Sequence, residues 1–169
     1  SKQTINHKTH QQLQPIHPTP TQIFIARQLL IQAGDNALIQ VLDYLHRHKH
    51  TLRILKAYNC ELTNKSCLKV AYFIRNQNAR NPIKEIHLSH NKITDEGVKA
   101  IMDAVEACGK LYPLEMGRAG GWQVVPMWVR LDNNFISPEM VRKLAKDRDN
   151  ARIMDPNRCK RQNVVGVKV

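Results

Sequence analysis

Three stretches of the chain decide its fold: Leu52-Arg-Ile-Leu55-Lys-Ala57-Tyr-Asn-Cys60-Glu-Leu62, Ile83-Lys-Glu-Ile86-His-Leu88-Ser-His-Asn91-Lys-Ile93 and Pro126-Met-Trp-Val129-Arg-Leu131-Asp-Asn-Asn134-Phe-Ile136. Set one above another they follow a single pattern, LxxLxLxxNxL, offset by 31 residues between the first two and by 43 between the last two. Self-similarity on that scale marks a stack of equivalent units, none of which can bury its apolar face alone. Each stretch is followed by an N-cap candidate and an amphipathic segment, so each unit reads as a strand, a turn and a helix. Thr94 precedes Asp95 and Glu96, and Ser137 precedes Pro138 and Glu139. Both helices are therefore expected to open with a hydroxyl cap and first-turn acids that oppose the positive end of the helix dipole. Val98, Ile101, Met102 and Val105 then fall on one helical face, as Val141 and Leu144 do more briefly.

A weaker first unit aligns at the same 31-residue offset, with Phe24, Ala26, Leu29 and Ile31 at strand and turn positions and Leu38, Leu42 and Leu45 on the helix. It is expected to cap the stack, since a terminal repeat meets a neighbour on one face only. The predicted architecture is α/β: a short solenoid over residues 21–147, with an extended basic arm over 1–20 and a basic tail over 148–169. The arm holds three prolines, three histidines and two lysines and no acid, too little apolar surface to order by itself.

With 169 residues and 5% aromatics, the core has to be filled by aliphatic side chains. The net charge of +12 is unevenly spread. Residues 1–84 carry twelve bases against Asp35, Asp43 and Glu61, a net of +9, whereas residues 85–169 carry fourteen bases and eleven acids, a net of +3. Such a potential favours polyanions, above all nucleic acid or an acidic membrane surface, with simple solubility as the plain alternative. Cys60, Cys67, Cys108 and Cys159 form no CxxC pair and have no histidines at zinc-finger spacing, which predicts reduced thiols in an intracellular protein. No apolar run is long enough to cross a bilayer, so no membrane insertion is expected. The start at Ser1 without methionine fits removal of an upstream segment such as an organelle presequence. The mitochondrial matrix and the cytoplasm are the compartments considered.

The residues "IKEIHLSHNKITDEGVKAIMDAV" (83–105) resemble the leucine-rich-repeat family, in its ribonuclease-inhibitor-like subtype with a full helix per repeat. The resemblance covers about residues 21–147. It implies a ladder in which Asn91 and Asn134 bond the backbone of neighbouring turns, with Cys60 as a buried ladder residue. The chain departs from the family in an insertion of about twelve residues before the last repeat, containing "MGRAGGW" (116–122). Its glycines lack the Lys-Ser/Thr of a phosphate-cradling loop, so a flexible surface loop is expected, with Trp122 either anchoring a partner or folding back. A looser similarity links "PMWVRLDNNFISPEMVRKLAKD" (126–147) and "ARIMDPNRC" (151–159) to the final repeat and Cys-bearing tail of large RNA-associated proteins of alveolate protists, which favours RNA company.

Parallel neighbours lie about 4.8 Å apart, so lateral rows of the concave sheet face can be read from the alignment. One row is Ile25, Lys56, His87 and Arg130; beside it run Ile54, Glu85 and Trp128, then Tyr58, Ser89 and Asp132, then Asn59, His90 and Asn133. Bases, aromatics and amides together suit phosphate contacts with stacking, or a protein hot spot centred on Trp and Arg; a solvated face without ligand is the plain alternative. A second candidate is the run His46-Arg47-His48-Lys49-His50 with Arg53 and Lys56, a phosphate patch or simply cations at a helix C-terminus. Its histidines point in different directions on a helix, so no metal site is expected. In the tail, Lys160 and Arg161 suit phosphates, and the terminal "VVGVKV" (164–169) could add a strand to a partner or pack on the last repeat.

No catalytic constellation survives scrutiny, since GxSxG, HExxH and Walker sequences are absent. His87, His90, Ser89 and Cys60 could be assembled into a nucleophile and base, but a repeat face offers little shelter from water. No enzyme, cofactor, metal or small-molecule substrate is expected. The leading expectation is a structural or RNA-contacting component of a large ribonucleoprotein such as a ribosome, for instance a mitochondrial one, touching rRNA and neighbouring proteins. The alternative is an adaptor or inhibitor gripping an acidic protein on the concave face.

Overall fold

The computed structural model describes residues 21–23, 27–109, 111–112, 114–118, 121–125, 127–146, 152–153 and 165–168. The arm over 1–20 and most of the tail over 148–169 lie outside these residues, as do Phe24, Ile25 and Ala26. In chain order the elements are β1 (Thr21–Ile23), α1 (Arg27–Arg47), β2 (Leu52–Lys56), α2 (Asn64–Arg75), β3 (Glu85–His87) and α3 (Asp95–Ala107). There follow β4 (Leu114–Arg118), β5 (Gly121–Val125), β6 (Met127–Arg130), α4 (Pro138–Lys146), β7 (Arg152–Ile153) and β8 (Val165–Lys168).

The three decisive stretches lie side by side as parallel strands, Ile54 opposite Glu85 opposite Trp128 and Lys56 opposite His87 opposite Arg130. Alternation explains the placement: Leu55, Ile86 and Val129 are fully buried, while their neighbours in sequence are half-buried on the other face. The helices supply the matching stripes, Leu38, Leu42 and Leu45 on α1, Val70 and Ile74 on α2, and Val98, Ile101 and Val105 on α3, all buried. Burying one such side chain stabilises by about 1.5–3 kcal/mol, and one continuous aliphatic core joins all these units. The result is a mixed α/β arrangement with parallel strands, compatible with a short leucine-rich-repeat fold.

Three expectations need correction. Leu29 and Ile31, assigned to a turn, lie within α1. The run Arg27-Gln-Leu-Leu-Ile-Gln-Ala33 holds no turn former and favours helix, and the break falls instead at Gly34, whose φ of 50° and ψ of −133° suit glycine alone. The glycine-bearing insertion is not a loop but an antiparallel hairpin of β4 and β5, in register from Leu114 opposite Val125 to Arg118 opposite Gly121. Apolar residues alternate on both arms, Leu114 and Met116 on one and Trp122 and Val124 on the other, which is the period of a strand. Thr94 occupies the N-cap of α3 in extended backbone, yet its hydroxyl caps nothing in its own helix and instead accepts from Asn64 Nδ2 at 2.7 Å. For the C-terminal apolar run, where two placements stood open, packing on the last repeat is found: β8 pairs in parallel with β6, Met127 opposite Val165 and Arg130 opposite Lys168, and the sheet order is β1-β2-β3-β6-β8-β7.

Two ladders tie the repeats together. The Asn ladder is as the resemblance implies: Asn91 Oδ1 accepts from the N–H groups of Cys60 at 2.9 Å and Leu62 at 3.1 Å, and its Nδ2 donates to Ala57 O and Leu88 O, both at 2.9 Å. Asn134 repeats this one unit on, accepting from Ile93 N–H and donating to Leu88 O and Leu131 O. Cys60 is buried, and its thiol donates to Tyr58 O at 3.1 Å.

The second ladder runs along the helix N-termini. Asp35 accepts from the Thr63 N–H at 2.8 Å and from the hydroxyls of Thr63 and Ser66 at 2.5 and 2.6 Å. Asn64 bonds the backbone and hydroxyl of Thr94, and Asp95 accepts from the N–H and hydroxyl of Ser137 at 2.8 and 2.6 Å. Each unit thus caps the next unit's helix, with acid or amide oxygen at the positive end of the dipole. The signal was present in Asp35, Asn64 and Asp95, which recur at nearly the repeat period; reading Asp95 only within its own helix concealed it.

Partial burial alone would raise the pKa of Asp35, but hydrogen bonds from Ser66 and Thr63 outweigh it and hold the carboxyl below its ordinary value. A depressed carboxylate stabilises the fold above its unfolded pKa, and that contribution is lost as pH falls through the folded value. Asp35→Ala is therefore expected to cost about 1–2 kcal/mol in urea unfolding at pH 7, with the gap from wild type closing in acid below pH 4. A gap that stays constant with pH contradicts this role.

Candidate binding surface

The residues facing away from the helix core come from three parallel strands and the turns that follow them. Lys56, His87 and Arg130 form one row and Ile54, Glu85 and Trp128 the next, as the register fixes. The Tyr58 ring stacks on His87, centroids 5.0 Å apart and planes inclined by 21°. His87 Nε2 lies 2.6 Å from Ser89 Oγ. Beyond them Asn59, His90 and Asn133 all adopt left-handed backbone, with φ of 53°, 57° and 58°, a conformation that Asn and His tolerate better than most residues. Asn133 Nδ2 and His90 Nε2 lie 3.0 Å apart across the repeats.

Charge on this face is largely balanced. Lys56 Nζ lies 3.9 Å from Glu85 Oε1 and Arg130 Nε 3.7 Å from Asp132 Oδ1. At those separations the pairs orient side chains more than they stabilise, each contributing up to about 1 kcal/mol. Burial lowers the pKa of His87, the Arg130 and Lys56 cations act in the same direction, and Asp132 and Glu85 oppose them. The imidazole is therefore neutral at neutral pH, a flat ring clamped between Tyr58 and Ser89 rather than a third cation. Ser89 is only 2% exposed and Cys60 is buried, so neither presents a nucleophile to the face. Burial also pushes the Cys67 thiol up to about 12, which keeps it protonated.

The structure thus gathers Lys56, Tyr58, His87, Trp128 and Arg130 on one sheet face, with His90 at its margin. Arg47, Lys49 and Arg53 go elsewhere, to the end where α1 runs into β2. Lys56 had been grouped with them by proximity in sequence, but strand alternation turns it to the sheet face and towards Glu85. Lys160, Arg161, Cys159 and the side chain of Trp122 lie outside the described residues. Sequence reasoning placed Glu85 and Asp132 in the right rows without recognising them as counter-ions, although opposite charges at adjacent lateral positions were the available sign. Among the described residues no cluster of His, Cys, Asp or Glu could hold a metal, the three cysteines are free thiols, and no helix is long and apolar enough to cross a membrane.

Strand, Asn-anchored turn and helix, repeated in parallel register, define a class of stacked-repeat protein. A family model described as Leucine Rich repeat matches residues 81–102, the unit built from β3 and α3. Ribonuclease inhibitor from Sus scrofa is 30% identical over 76 residues, which is 45% of this chain and 16% of that protein's length. Residues 81–102 match a leucine-rich repeat, and the similarity to ribonuclease inhibitor supports repeats of that kind. Repeats of this kind suggest a protein-protein interaction module.

Proposed function

We propose that the chain is a non-catalytic docking module, a short solenoid that grips a protein partner on the concave face of its sheet. The observation that carries this reading is the composition and rigidity of that face: Tyr58 stacked on a neutral His87, flanked by Trp128 and Arg130, with the charges of Lys56 and Arg130 offset by Glu85 and Asp132. Aromatic and Arg anchors on regular elements are the residues that dominate protein interfaces, and the adjacent charge pairs favour a partner of matching polar pattern over a bare polyanion. Ribonuclease inhibitor, by its name, acts on another protein, which agrees with this reading. Binding of the purified partner is the test. Tyr58→Ala combined with Trp128→Ala is expected to weaken it by roughly 30-fold or more, the effect of losing at least one hot spot. Unchanged affinity in a folded double variant contradicts the proposal.

A second reading is favoured by a different observation. The chain carries a net +12, and six cations at one end of the repeats have no acidic partner among the described residues. On this reading the module belongs to a large ribonucleoprotein, a ribosome of the mitochondrial matrix or the cytoplasm, and touches rRNA as well as neighbouring proteins. The arm over 1–20 and the tail over 148–169, with Lys160 and Arg161, would add contacts. Co-sedimentation of the native protein with ribosome-sized particles, lost on nuclease or high salt, supports it; sedimentation as a free protein at low salt contradicts it.

A further inference from the structure

We infer that the end of the molecule where helices run into strands is a binding surface for single-stranded RNA, formed by Arg47, Lys49, Arg80 and Lys84 around the exposed rings of Tyr44 and Tyr72. This rests on the second reading above and locates its contact. Lys56, Lys69, Lys92, Lys99 and Arg130 each have an acidic partner. Of the described cations without one, Arg47, Lys49, Arg53, Arg75, Arg80 and Lys84 gather where helices run into strands, while Lys65 opens α2 and Arg142 and Lys143 lie on α4. From Asp43 to Lys84 the sequence contains two acids, Asp43 and Glu61, and each pairs with a lysine, Asp43 with Lys69 and Glu61 with Lys92.

Helix dipoles account for only part of this. Arg47 and Arg75 sit in the last turns of α1 and α2, where cations are favoured. Lys49, Arg53, Arg80 and Lys84 lie beyond those turns, and Lys84 N–H donates to Arg53 O, setting equivalent residues of neighbouring repeats side by side. Lys49 stands at the left-handed C-terminal position of α1, φ 54°, where His50 N–H returns to Leu45 O and Lys49 N–H to His46 O. Glycine is the residue that position favours, and here it holds a cation.

The same end presents flat rings. Tyr44 is 52% exposed with His48 and His50 beside it at centroid distances of 4.3 and 6.0 Å, and Tyr72 is 44% exposed with His46 edge-on at 5.3 Å and the Asp43-paired Lys69 ammonium 4.8 Å from its centroid. Exposed rings on a cation-rich end are what a single strand needs, since bases stack while phosphates meet the charges.

The test is fluorescence anisotropy of a labelled 20-nucleotide oligouridine with the full chain, between 50 and 300 mM salt. Arg47→Gln, Lys49→Gly and Arg80→Gln change exposed residues without an ion pair, and the glycine suits its backbone and offsets the small loss of a cation at the end of α1, so the triple variant is expected to melt like wild type. It should bind at least tenfold more weakly and flatten the slope of log K against log salt by about 2, near 0.7 for each phosphate contact on a single strand. Tyr44→Ala with Tyr72→Ala should weaken binding about fivefold to a hundredfold at every salt concentration and leave the slope unchanged. Tyr58→Ala on the sheet face should leave affinity unaltered. Wild-type affinity in the folded triple variant, or loss confined to Tyr58→Ala, overturns this surface while leaving RNA contact standing. No binding by the wild type overturns both, as does binding only to phosphatidylserine vesicles.

Discussion

Asn91→Ala is expected to cost the fold about 3–5 kcal/mol, far more than its small volume suggests. The side chain is only 6% exposed and serves five backbone groups at once, the N–H of Cys60 and Leu62 and the carbonyls of Ala57, Leu88 and Ser89. Alanine leaves these groups buried without the partner they had, and each such loss costs about 1–3 kcal/mol before water entering the gap recovers part of it. The effect is not confined to one repeat, because Ala57, Cys60 and Leu62 belong to the unit before. Asn134→Ala provides the comparison. Its side chain makes the same kinds of bond but is partly exposed, so water replaces them more readily and about 1–2 kcal/mol is expected. Urea unfolding of the two variants measures both; equal losses, or a loss below 1 kcal/mol at Asn91, contradict the ladder's role.

The second large effect is Gly97→Ala, where two terms oppose each other. Alanine in a helix is favoured over glycine by about 1 kcal/mol. Gly97, however, lies where α3 meets α2, and an added Cβ would stand 2.6 Å from Asn64 Oδ1, 2.9 Å from Ile93 Cγ2 and 3.0 Å from Cys67 Sγ. Relief requires moving Asn64, whose oxygen and nitrogen hold Thr94 at the start of the same helix. Overpacking of this kind costs about 1–3 kcal/mol, and loss of the Asn64 bonds adds to it, so a net destabilisation of about 2 kcal/mol is expected. For a chain of this size that lowers the melting temperature by roughly 4–8 °C. A raised melting temperature would mean that the close approach of α2 and α3 is not as described.

What the sequence disclosed and what it concealed follow from the range of the interactions. The apolar spacing of the three strands and the stripe from Val98 to Val105 are local patterns that set which face is buried, and both were legible; the Asn ladder, which spans repeats, was implied by the family resemblance. The hairpin of β4 and β5 was not, because Gly117, Gly120 and Gly121 spoke for a loop while the pairing of Met116 with Gln123 depends on both arms together. Asp35, Asn64 and Asp95 act on the following repeat, some thirty to forty residues away, so a reading confined to each helix saw only first-turn acids. Among the candidate binding residues, proximity in sequence joined Lys56 to Arg53. The alternation of β2 separates them, and the choice was visible in the row that sets Lys56 beside His87 and Glu85.

The proposed function comes down to which surface meets a protein. Benzoylphenylalanine placed at Tyr58 on the sheet face, or at Leu68 on the exposed side of α2 as the comparison, reports this in the native complex by photocrosslinking followed by nuclease digestion. The docking reading predicts a single nuclease-resistant protein adduct from position 58 and no protein adduct from position 68. Protein adducts from position 68 with none from position 58 would contradict it.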